Sequence, residues 1–248
     1  MAGTAVRGRL TWQVATVEAV RDEAPAVRTI ELRAPDWAGH QAGQHLDVRL
    51  TAEDGYVAER SYSIASAPGE PVAITVERLE DGEVSPYLTE ELRAGDEIEI
   101  RGPIGGYFVW DDSASGSPLM LAAGGSGVVP LRSILRHRAR TGSTVPVRLL
   151  YSARSLPDVI YRTELDGYHD GVEVIFTLTR QQPPGWTGRI GRVSDAMLTE
   201  IAWPAGDATT AFVCGPTAFV ESVAASLVRL GYPPPRVKTE RFGGMGET

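Results

Sequence analysis

The sequence predicts two structural units in series, an antiparallel β-barrel followed by a parallel-sheet α/β domain. Residues 1–110 contain short segments in which apolar and polar residues alternate, which is the period of half-buried strands. Residues 119–248 instead alternate short apolar runs with helical patterns, as in a parallel sheet with right-handed crossovers. Between them, residues 111–118 are small and polar, and we expect them to form the linker between two domains.

The composition is that of an ordinary globular protein, and it narrows the possible functions. The 248 residues, 42% of them hydrophobic, are enough for two modest domains. The formal net charge of −8 argues against nucleic acid as the main partner, because binding a phosphate backbone requires a basic surface. No apolar run approaches the ~20 residues that span a bilayer, and the N-terminus lacks a signal-peptide pattern. We therefore expect a cytoplasmic protein without a membrane span.

The number and spacing of the cysteine and histidine residues argue against an inorganic cofactor. Cys214 is the only cysteine, which excludes an intrachain disulfide and is typical of a reducing compartment. It also excludes a cysteine-held iron–sulfur cluster within this chain, because such a cluster needs about four thiolates. The four histidines are scattered without ligand-like spacing, so no metal site is predicted.

The strands of the predicted barrel follow one another in the first half of the chain. Alternation is clearest at residues 46–50, 72–76 and 97–100, and weaker at 12–17 and 27–32. Turn residues lie between these segments. One short helix is predicted from residue 85 or 86 to residue 92, before the stop at Gly95.

The second half is predicted to alternate strand and helix throughout. Strands are expected at 119–123, 147–151, 172–178, 211–214 and 236–240, and helices at 128–140, 158–166, 194–202 and 217–230. Ser155, Pro157 and Asp158 indicate the start of the second helix. The last helix is the clearest, since its apolar residues form one stripe: Phe219, Val220, Val223, Ala224, Leu227 and Val228. Ligands of such sheets lie beyond the carboxyl ends of the strands.

A glycine cluster, Gly124-Gly125-Ser126-Gly127, joins the first of these strands to its helix. Backbone N–H groups and a helix N-terminus in this arrangement suit a phosphate. Gly125 and Gly127 fit the dinucleotide-binding fingerprint, whereas Pro130 occupies the place of its third glycine. A phosphate-binding loop and a plain tight turn both remain open.

Two segments of the barrel carry the residue types that bind a charged, aromatic ligand. Arg60-Ser61-Tyr62-Ser63 combines a cation, an aromatic plane and hydroxyls, although an ordinary amphipathic strand would also fit. Gly82-Glu83-Val84-Ser85 precedes the short helix and can hold a pyrophosphate, or can simply cap that helix.

Six segments, taken together, resemble those of the ferredoxin–NADP reductase superfamily. They occur in the order Arg60-Ser61-Tyr62-Ser63, Gly82-x-x-Ser85, Gly102-Pro103-x-Gly105, Gly124-Gly125-Ser126-Gly127-x-x-Pro130, Cys214-Gly215-Pro216 and Glu240-Arg241-Phe242-Gly243. The resemblance extends from about residue 12 to residue 243. It implies an antiparallel flavin-binding β-barrel followed by a parallel-sheet nucleotide-binding α/β domain.

The resemblance also implies roles for single residues of the barrel. Tyr62 would stack on the isoalloxazine, Ser63 would lie near its N5 atom, and Arg60 with Ser85 would hold the flavin phosphates. Ser61, Gly82 and Val84 are assigned to the same flavin site as parts of these motifs.

In the second half, the resemblance implies a nicotinamide site. A proline at position 130 is the usual form in this superfamily, whereas threonine is commoner than serine at position 126. Cys214 would lie beside the nicotinamide with Gly215 and Pro216, and it would position the ring without thiolate chemistry. Near the C-terminus, Glu240 is assigned a catalytic role and Phe242 a cofactor-binding role, and an edge strand with a solvated Glu240 is the alternative.

The choice of nucleotide depends on the residues after the second strand of the sheet. NAD sites often carry an acidic side chain there, whereas this chain has Ser152 and Arg154. A hydroxyl and a guanidinium suit the 2′-phosphate of NADP, with Arg162 or Arg189 assisting. Alternatively, Arg154 is solvated or pairs with Glu164. NADPH is therefore favoured, and NADH remains possible.

The sequence thus predicts a flavoprotein reductase that transfers hydride from NADPH to bound FAD and passes electrons to a separate acceptor. The Gly82 to Ser85 segment supports a pyrophosphate, and hence FAD over FMN. The acceptor, a ferredoxin, an oxygenase component or a small molecule, is not identified, nor is the role of residues 243–248. Two alternatives remain, a reductase that uses free flavin as its substrate and a non-catalytic nucleotide-binding regulatory module.

Overall fold

The computed structural model describes residues 10–111, 116–205 and 209–243 as one antiparallel and one parallel six-stranded sheet. This agrees with the predicted fold class. Residues 112–115 of the expected linker and residues 244–248 of the tail lie outside the described residues. The domain boundary at 111–118 therefore stays a prediction. In the part of the chain that is described, no helix is long and apolar enough to cross a membrane.

The first sheet contains all of the predicted strands, one of them extended well beyond its predicted end. Its strands are β1 (Gln13–Ala24), β2 (Val27–Arg33), β3 (His45–Thr51), β4 (Val57–Ser63), β5 (Val72–Glu77) and β6 (Glu97–Ile104). They pair in the order β4-β3-β6-β1-β2-β5. Strand β1 continues past the predicted end at residue 17, since its charged second half still pairs with β2.

The two edges of this sheet meet and close it into a barrel. Ile64, directly after β4, forms an antiparallel bridge with Ile74 of β5, and the N–H of Ala65 donates to the carbonyl of Ala73 at 2.7 Å. A helical turn, Tyr87–Glu91, covers one end of the barrel. Leu88 of this turn is fully buried in the barrel core. The two edge strands of the sheet are thus joined where β4 leads into β5.

The second sheet is parallel throughout and carries helices on both faces. Its strands are β7 (Leu119–Gly124), β8 (Val147–Ala153), β9 (Val172–Leu178), β10 (Arg189–Ile190), β11 (Thr210–Pro216) and β12 (Val237–Phe242), in the order β10-β9-β8-β7-β11-β12. Its helices are α1 (Val128–Thr141), α2 (Arg162–Asp166), α3 (Asp195–Ile201) and α4 (Thr217–Arg229). Alternate residues of β7 contribute to two separate cores, one containing α1 and the other α4.

Two predictions for these helices are wrong in detail. The second helix begins at Arg162 instead of residue 158, because Tyr161 has a left-handed backbone (φ 59°) that interrupts the helical pattern. Ser155 and Asp158 bond to each other in a turn before it, at 2.5 Å. Val228, predicted to belong to the buried stripe of α4, is 41% exposed.

Helix α1 packs against the barrel where β4 leads into β5. The hydroxyl of Ser133 donates to the carbonyl of Ser66 at 2.7 Å, and Arg132 donates to the carbonyl of Ala65 at 3.2 Å. Arg132 is buried, and its charge is balanced by Glu164 of α2 at 2.8 Å. These contacts position the N-terminus of α1 relative to the barrel.

Candidate functional site

A cleft of about 800 Å³ opens at the carboxyl ends of the parallel strands. This is the location expected for a ligand of such a sheet. Six of the predicted cofactor-binding residues line the cleft, namely Gly125, Ser126, Ser152, Arg154, Pro216 and Phe242. The cleft also reaches the β1–β2 hairpin of the barrel, so both sheets contribute to its walls.

The glycine turn after β7 has two parts with different roles. Gly125 faces the cleft with φ of +54°, a conformation that glycine adopts without strain. Gly127 is buried, and a Cβ atom there would lie 2.1 Å from the carbonyl oxygen of Cys214. Pro130 is also buried, in the first turn of α1, where a missing N–H is tolerated. Gly127 and Pro130, both predicted to bind cofactor, are not among the residues that line the cleft, and Gly127 instead packs directly against β11.

Strand β11 ends with the predicted Cys-Gly-Pro segment at the floor of the same region. Cys214 is buried, and burial together with the nearby Glu240 raises the pKa of its thiol. The thiol therefore stays protonated at neutral pH, as expected for a residue that packs and does not attack. Gly215 is also buried, and a Cβ there would lie 2.8 Å from the ring of Phe219. Only Pro216 of this segment lines the cleft.

Three arginines gather at the mouth of the cleft, of which the sequence predicted one. Arg154 follows β8, Arg180 follows β9 and Arg192 follows β10, and all three are exposed and line the cleft. Among the described residues, none of the three guanidinium groups has an ion-pair partner. The N–H of Arg180 donates to the carbonyl of Arg154 at 2.9 Å, which places the two residues side by side. Such a cluster favours a phosphate group.

The other charged residues considered for this role lie elsewhere. Arg162 pairs with Asp166 at 3.2 Å, and Arg189 pairs with Glu200 at 2.5 Å. Glu164 accepts from Arg132 and Arg136, so the proposed pair between Arg154 and Glu164 does not form. Two acidic residues line the cleft as well. One is Asp158, which was predicted to lie at the start of the second helix, and the other is Glu77 of the barrel.

The predicted flavin-phosphate residues are brought together on the barrel, with an unpredicted partner. Arg60 of β4 donates to the carboxylate of Glu83, which lies between Gly82 and Ser85. The same carboxylate accepts from the hydroxyl of Tyr56 at 2.6 Å. The two motifs, more than twenty residues apart in sequence, are thus joined by a contact between a cation and an anion.

Several side chains of these two motifs make contacts within the barrel itself. The hydroxyl of Ser61 donates to Asp47 at 2.6 Å, and the side chain of Val84 is buried in the barrel core. Ser85 is buried, and its hydroxyl accepts from the N–H of Leu79 at 3.0 Å. A Cβ at position 82 would lie 2.7 Å from that hydroxyl. These side chains are therefore occupied within the barrel, and a side chain at position 82 would crowd the Ser85 hydroxyl. The cofactor-binding assignments of Ser61, Gly82, Val84 and Ser85 stay predictions.

The two sheets meet near the end of β4, at a carboxylate that has one buried oxygen atom. Ser63 is paired with His45 across β3 and β4, and the Nδ1 atom of His45 lies 4.0 Å from Oε1 of Glu240 on β12. Oε2 of Glu240 is buried and has no hydrogen-bond partner among the described residues. The alternative of a solvated Glu240 on the edge strand is therefore wrong for its side chain. Tyr62, the residue before Ser63, is half-buried, and burial raises the pKa of its hydroxyl.

Burial raises the pKa of Glu240 to about 7 and lowers that of the neighbouring His45. At neutral pH Glu240 is therefore partly protonated and His45 is mostly neutral, so the two do not form a strong ion pair. A carboxyl group with such a pKa can take up and release a proton near neutral pH. Neither His45 nor this pairing was predicted, because nothing in the sequence shows that β3 and β12 meet.

We expect the Glu240→Gln variant to be more thermostable than the parent protein at alkaline pH. Burial favours the protonated carboxyl, so the folded state holds a proton up to about pH 7 that the unfolded chain loses near pH 4.5. The stability from this proton is complete below pH 4.5 and lost as the pH rises through 7. The neutral amide avoids that loss, worth about 2–3 kcal/mol, or roughly 5–10 °C in Tm at pH 8.

Melting curves at pH 4.5 and pH 8 test this expectation. The Tm difference between variant and parent should nearly vanish at pH 4.5. Glu221→Gln, which removes an exposed carboxylate beside Arg241, provides the matched control and should show no such pH dependence. Parallel pH profiles for Glu240→Gln and the parent protein would contradict the burial of this charge.

Comparison with known proteins agrees with the two-sheet architecture. Residues 15–109 match the family of the oxidoreductase FAD-binding domain, and residues 120–225 match that of the oxidoreductase NAD-binding domain. Ferredoxin--NADP reductase B of Sorangium cellulosum is 37% identical over 92% of this chain and 96% of its own length. The chain belongs to the ferredoxin–NADP reductase superfamily. It is an NAD(P)H-dependent, flavin-containing oxidoreductase.

Two other relatives are longer than this chain. The glycine betaine monooxygenase reductase subunit of Chromohalobacter salexigens is 33% identical over 81% of this chain, which spans 55% of that protein. The crystal structure of the Amycolatopsis cytochrome P450 reductase GcoB superposes with a TM-score of 0.81 at 29% identity, covering 96% of this chain and 73% of that one. These proteins share the reductase module but not the same total length.

The residues present fit the two cofactors of the superfamily. The cleft combines an open glycine turn at Gly125 with a group of unpaired guanidinium groups, as a dinucleotide requires. On the barrel, Arg60 offers a cation and Tyr62 a half-buried aromatic ring beside it. The orphaned oxygen of Glu240 marks a polar position between the two regions.

Proposed function

We propose that the protein is an NADPH-dependent reductase that carries FAD and delivers electrons to a separate protein. The observation that carries the nucleotide preference is the cluster of Arg154, Arg180 and Arg192 at the mouth of the cleft. Three arginines without an ion-pair partner along one cleft suit a phosphomonoester, which NADP has and NAD lacks. The turn at Gly125 and Ser126 would hold the diphosphate of the same nucleotide.

The flavin site is proposed on the barrel, at the end of β4. Tyr62 would stack on the ring, and Arg60 would bind the phosphates together with main-chain N–H groups of the turn from Gly82 to Ser85. Bound flavin supplies the hydride acceptor, and bound nicotinamide nucleotide supplies the hydride. The protein contributes mainly distance and alignment.

The residues between the two sites are proposed to position the flavin and nicotinamide rings and to bind and release one proton. The buried thiol of Cys214 stays protonated and provides a small packing surface. Glu240, with a pKa of about 7, can hold a proton at its buried Oε2 atom, and its Oε1 atom lies 4.0 Å from Nδ1 of His45. Phe242 lies on the cleft wall at the end of β12, where it can cover the nucleotide.

NADH is the second candidate donor, and Asp158 favours it. A carboxylate in the cleft can accept hydrogen bonds from ribose hydroxyls, as in NAD-preferring sites. Asp158 lines the cleft, although its carboxylate already accepts from Ser155 at 2.5 Å. We rank this candidate second because one partly satisfied carboxylate faces three unpaired cations.

The acceptor is proposed to be a ferredoxin or an oxygenase component. Two relatives point to these classes, since one is named a ferredoxin–NADP reductase and another the reductase subunit of a monooxygenase. We further propose a cytoplasmic location, because a reducing compartment keeps a lone thiol such as Cys214 free. A reductase that releases reduced flavin as its product remains the alternative to this electron-transfer function.

An anaerobic titration followed by visible absorption tests the proposal. The purified protein should be yellow, and one equivalent of NADPH should bleach it faster than NADH does. Flavin should stay with the protein through gel filtration after reduction. A colourless protein that oxidises neither nucleotide would contradict the proposal, and loss of the flavin on reduction would favour the free-flavin alternative.

A further inference from the structure

Glu83 places a negative charge where the proposed flavin site needs positive charge. Its Oε2 atom accepts from Nη2 of Arg60, and its Oε1 atom accepts from the hydroxyl of Tyr56 at 2.6 Å. These hydrogen bonds lower the pKa of Glu83, so its carboxylate is ionised at neutral pH. Both side chains of the ion pair remain about half exposed to solvent.

Both terminal nitrogen atoms of Arg60, which a phosphate would use, already donate one hydrogen bond each within the protein. Nη2 of Arg60 donates to Glu83, and Nη1 donates to the carbonyl of Glu59 at 2.7 Å. Phosphate recognition by arginine depends on these terminal N–H groups, often two at once. A diphosphate that approaches Arg60 therefore meets a guanidinium that is already engaged and a neighbouring charge that repels it.

This geometry allows two opposite roles for Glu83. The free energies of the two interactions decide between them. As a positioning residue, it would hold Arg60 in place for the phosphate, but an exposed ion pair contributes only ~0–1 kcal/mol. As a competitor, its carboxylate would repel a diphosphate that carries two charges. At roughly 5 Å and a water-like dielectric constant, each such pair of charges costs about 1 kcal/mol. The repulsion therefore outweighs the gain in positioning.

We propose that Glu83 is an internal anionic competitor for the flavin diphosphate on Arg60, and that it sets the affinity of the protein for flavin. Binding of the diphosphate would displace the Glu83 carboxylate from Arg60 towards solvent, where Tyr56 can still donate to it. This inference rests on the proposed FAD site. It implies that the flavin is held less tightly than Arg60 alone would allow.

Flavin affinities of the flavin-free protein, measured by quenching of flavin fluorescence, test the proposal. Glu83→Gln should lower the Kd for FAD by about fivefold, because the amide keeps the size of the side chain and removes its charge. Riboflavin has no phosphate, so its Kd should be the same for the variant and the parent. Glu80→Gln removes an 88% exposed carboxylate from the same loop and is the matched control, with an unchanged Kd for FAD.

The outcomes separate this proposal from the proposed function. Weaker or unchanged FAD binding by Glu83→Gln would overturn the competitor role, and weaker binding would instead indicate positioning of Arg60. Equal tightening for FAD and riboflavin would also overturn it, since the effect would then not involve the phosphates. If neither the parent nor the variant binds FAD, the proposed flavin site itself is wrong.

Discussion

Replacing Arg154 and Arg180 together by alanine should raise the KM for NADPH about 100-fold and change that for NADH less than about threefold. Both guanidinium groups line the mouth of the cleft, and they are adjacent through their main chains. A charge-assisted hydrogen bond to a phosphate contributes roughly 1.5–3 kcal/mol, and partial exposure brings each arginine close to a tenfold effect. NADH lacks the 2′-phosphate and should lose little.

Steady-state kinetics with each nucleotide, at fixed ionic strength, measure this effect. The double variant Arg162→Ala/Arg189→Ala is the matched control, because it removes the same charge from residues that pair with Asp166 and Glu200 instead. Its KM for NADPH should stay close to that of the parent. An equal rise in KM for both nucleotides in the first variant would mean that the arginines do not recognise the 2′-phosphate.

The variant Gly127→Ala should be strongly destabilised, by about 3–5 kcal/mol. A Cβ at this position would lie 2.1 Å from the carbonyl oxygen of Cys214 and 2.7 Å from the amide nitrogen of Gly215. These atoms are main chain in the middle of a parallel sheet, so they cannot move aside as a flexible side chain would. The turn after β7 must therefore shift away from β11.

Thermal unfolding of the variant should show a Tm lower by about 6–20 °C at this chain length. Gly106→Ala is the control, since a Cβ there meets no atom within 4 Å. We also expect weaker nucleotide binding by any folded Gly127→Ala protein. The turn that must shift also contains Gly125 and Ser126, which line the cleft. A Tm within about 2 °C of the parent would contradict the packing role of Gly127.

Sequence patterns predicted the strands and helices well where a segment has a regular period. Alternation in the first half and helical spacing in α1 and α4 reflect burial of one face, which is a local property of each element. The pattern failed for α2, because the left-handed conformation of Tyr161 has no counterpart in residue type. Strand β10 could not be predicted from the sequence, because a strand of two residues is too short to show an alternating pattern.

The residues of the site were predictable to different degrees. Arg154 was identified because it follows β8 directly, and the same rule applied to β9 could have identified Arg180. Arg192 had no such signal, since it follows the two-residue strand β10. The binding residues implied by the resemblance stay predictions, and the structure adds only where their side chains lie: that of Ser61 donates to Asp47, and that of Val84 is buried in the barrel core.

The sequence by itself determined the order of the two units, the glycine turn and the set of motifs that identifies the superfamily, because these depend on residues close together in the chain. Only the tertiary structure decided which side chains share a site. It brought Glu83 to Arg60, Glu240 to His45 and Gly127 to Cys214, three contacts between distant segments. The physical reason is that burial and electrostatic pairing depend on strand order and domain contact, which no local pattern encodes.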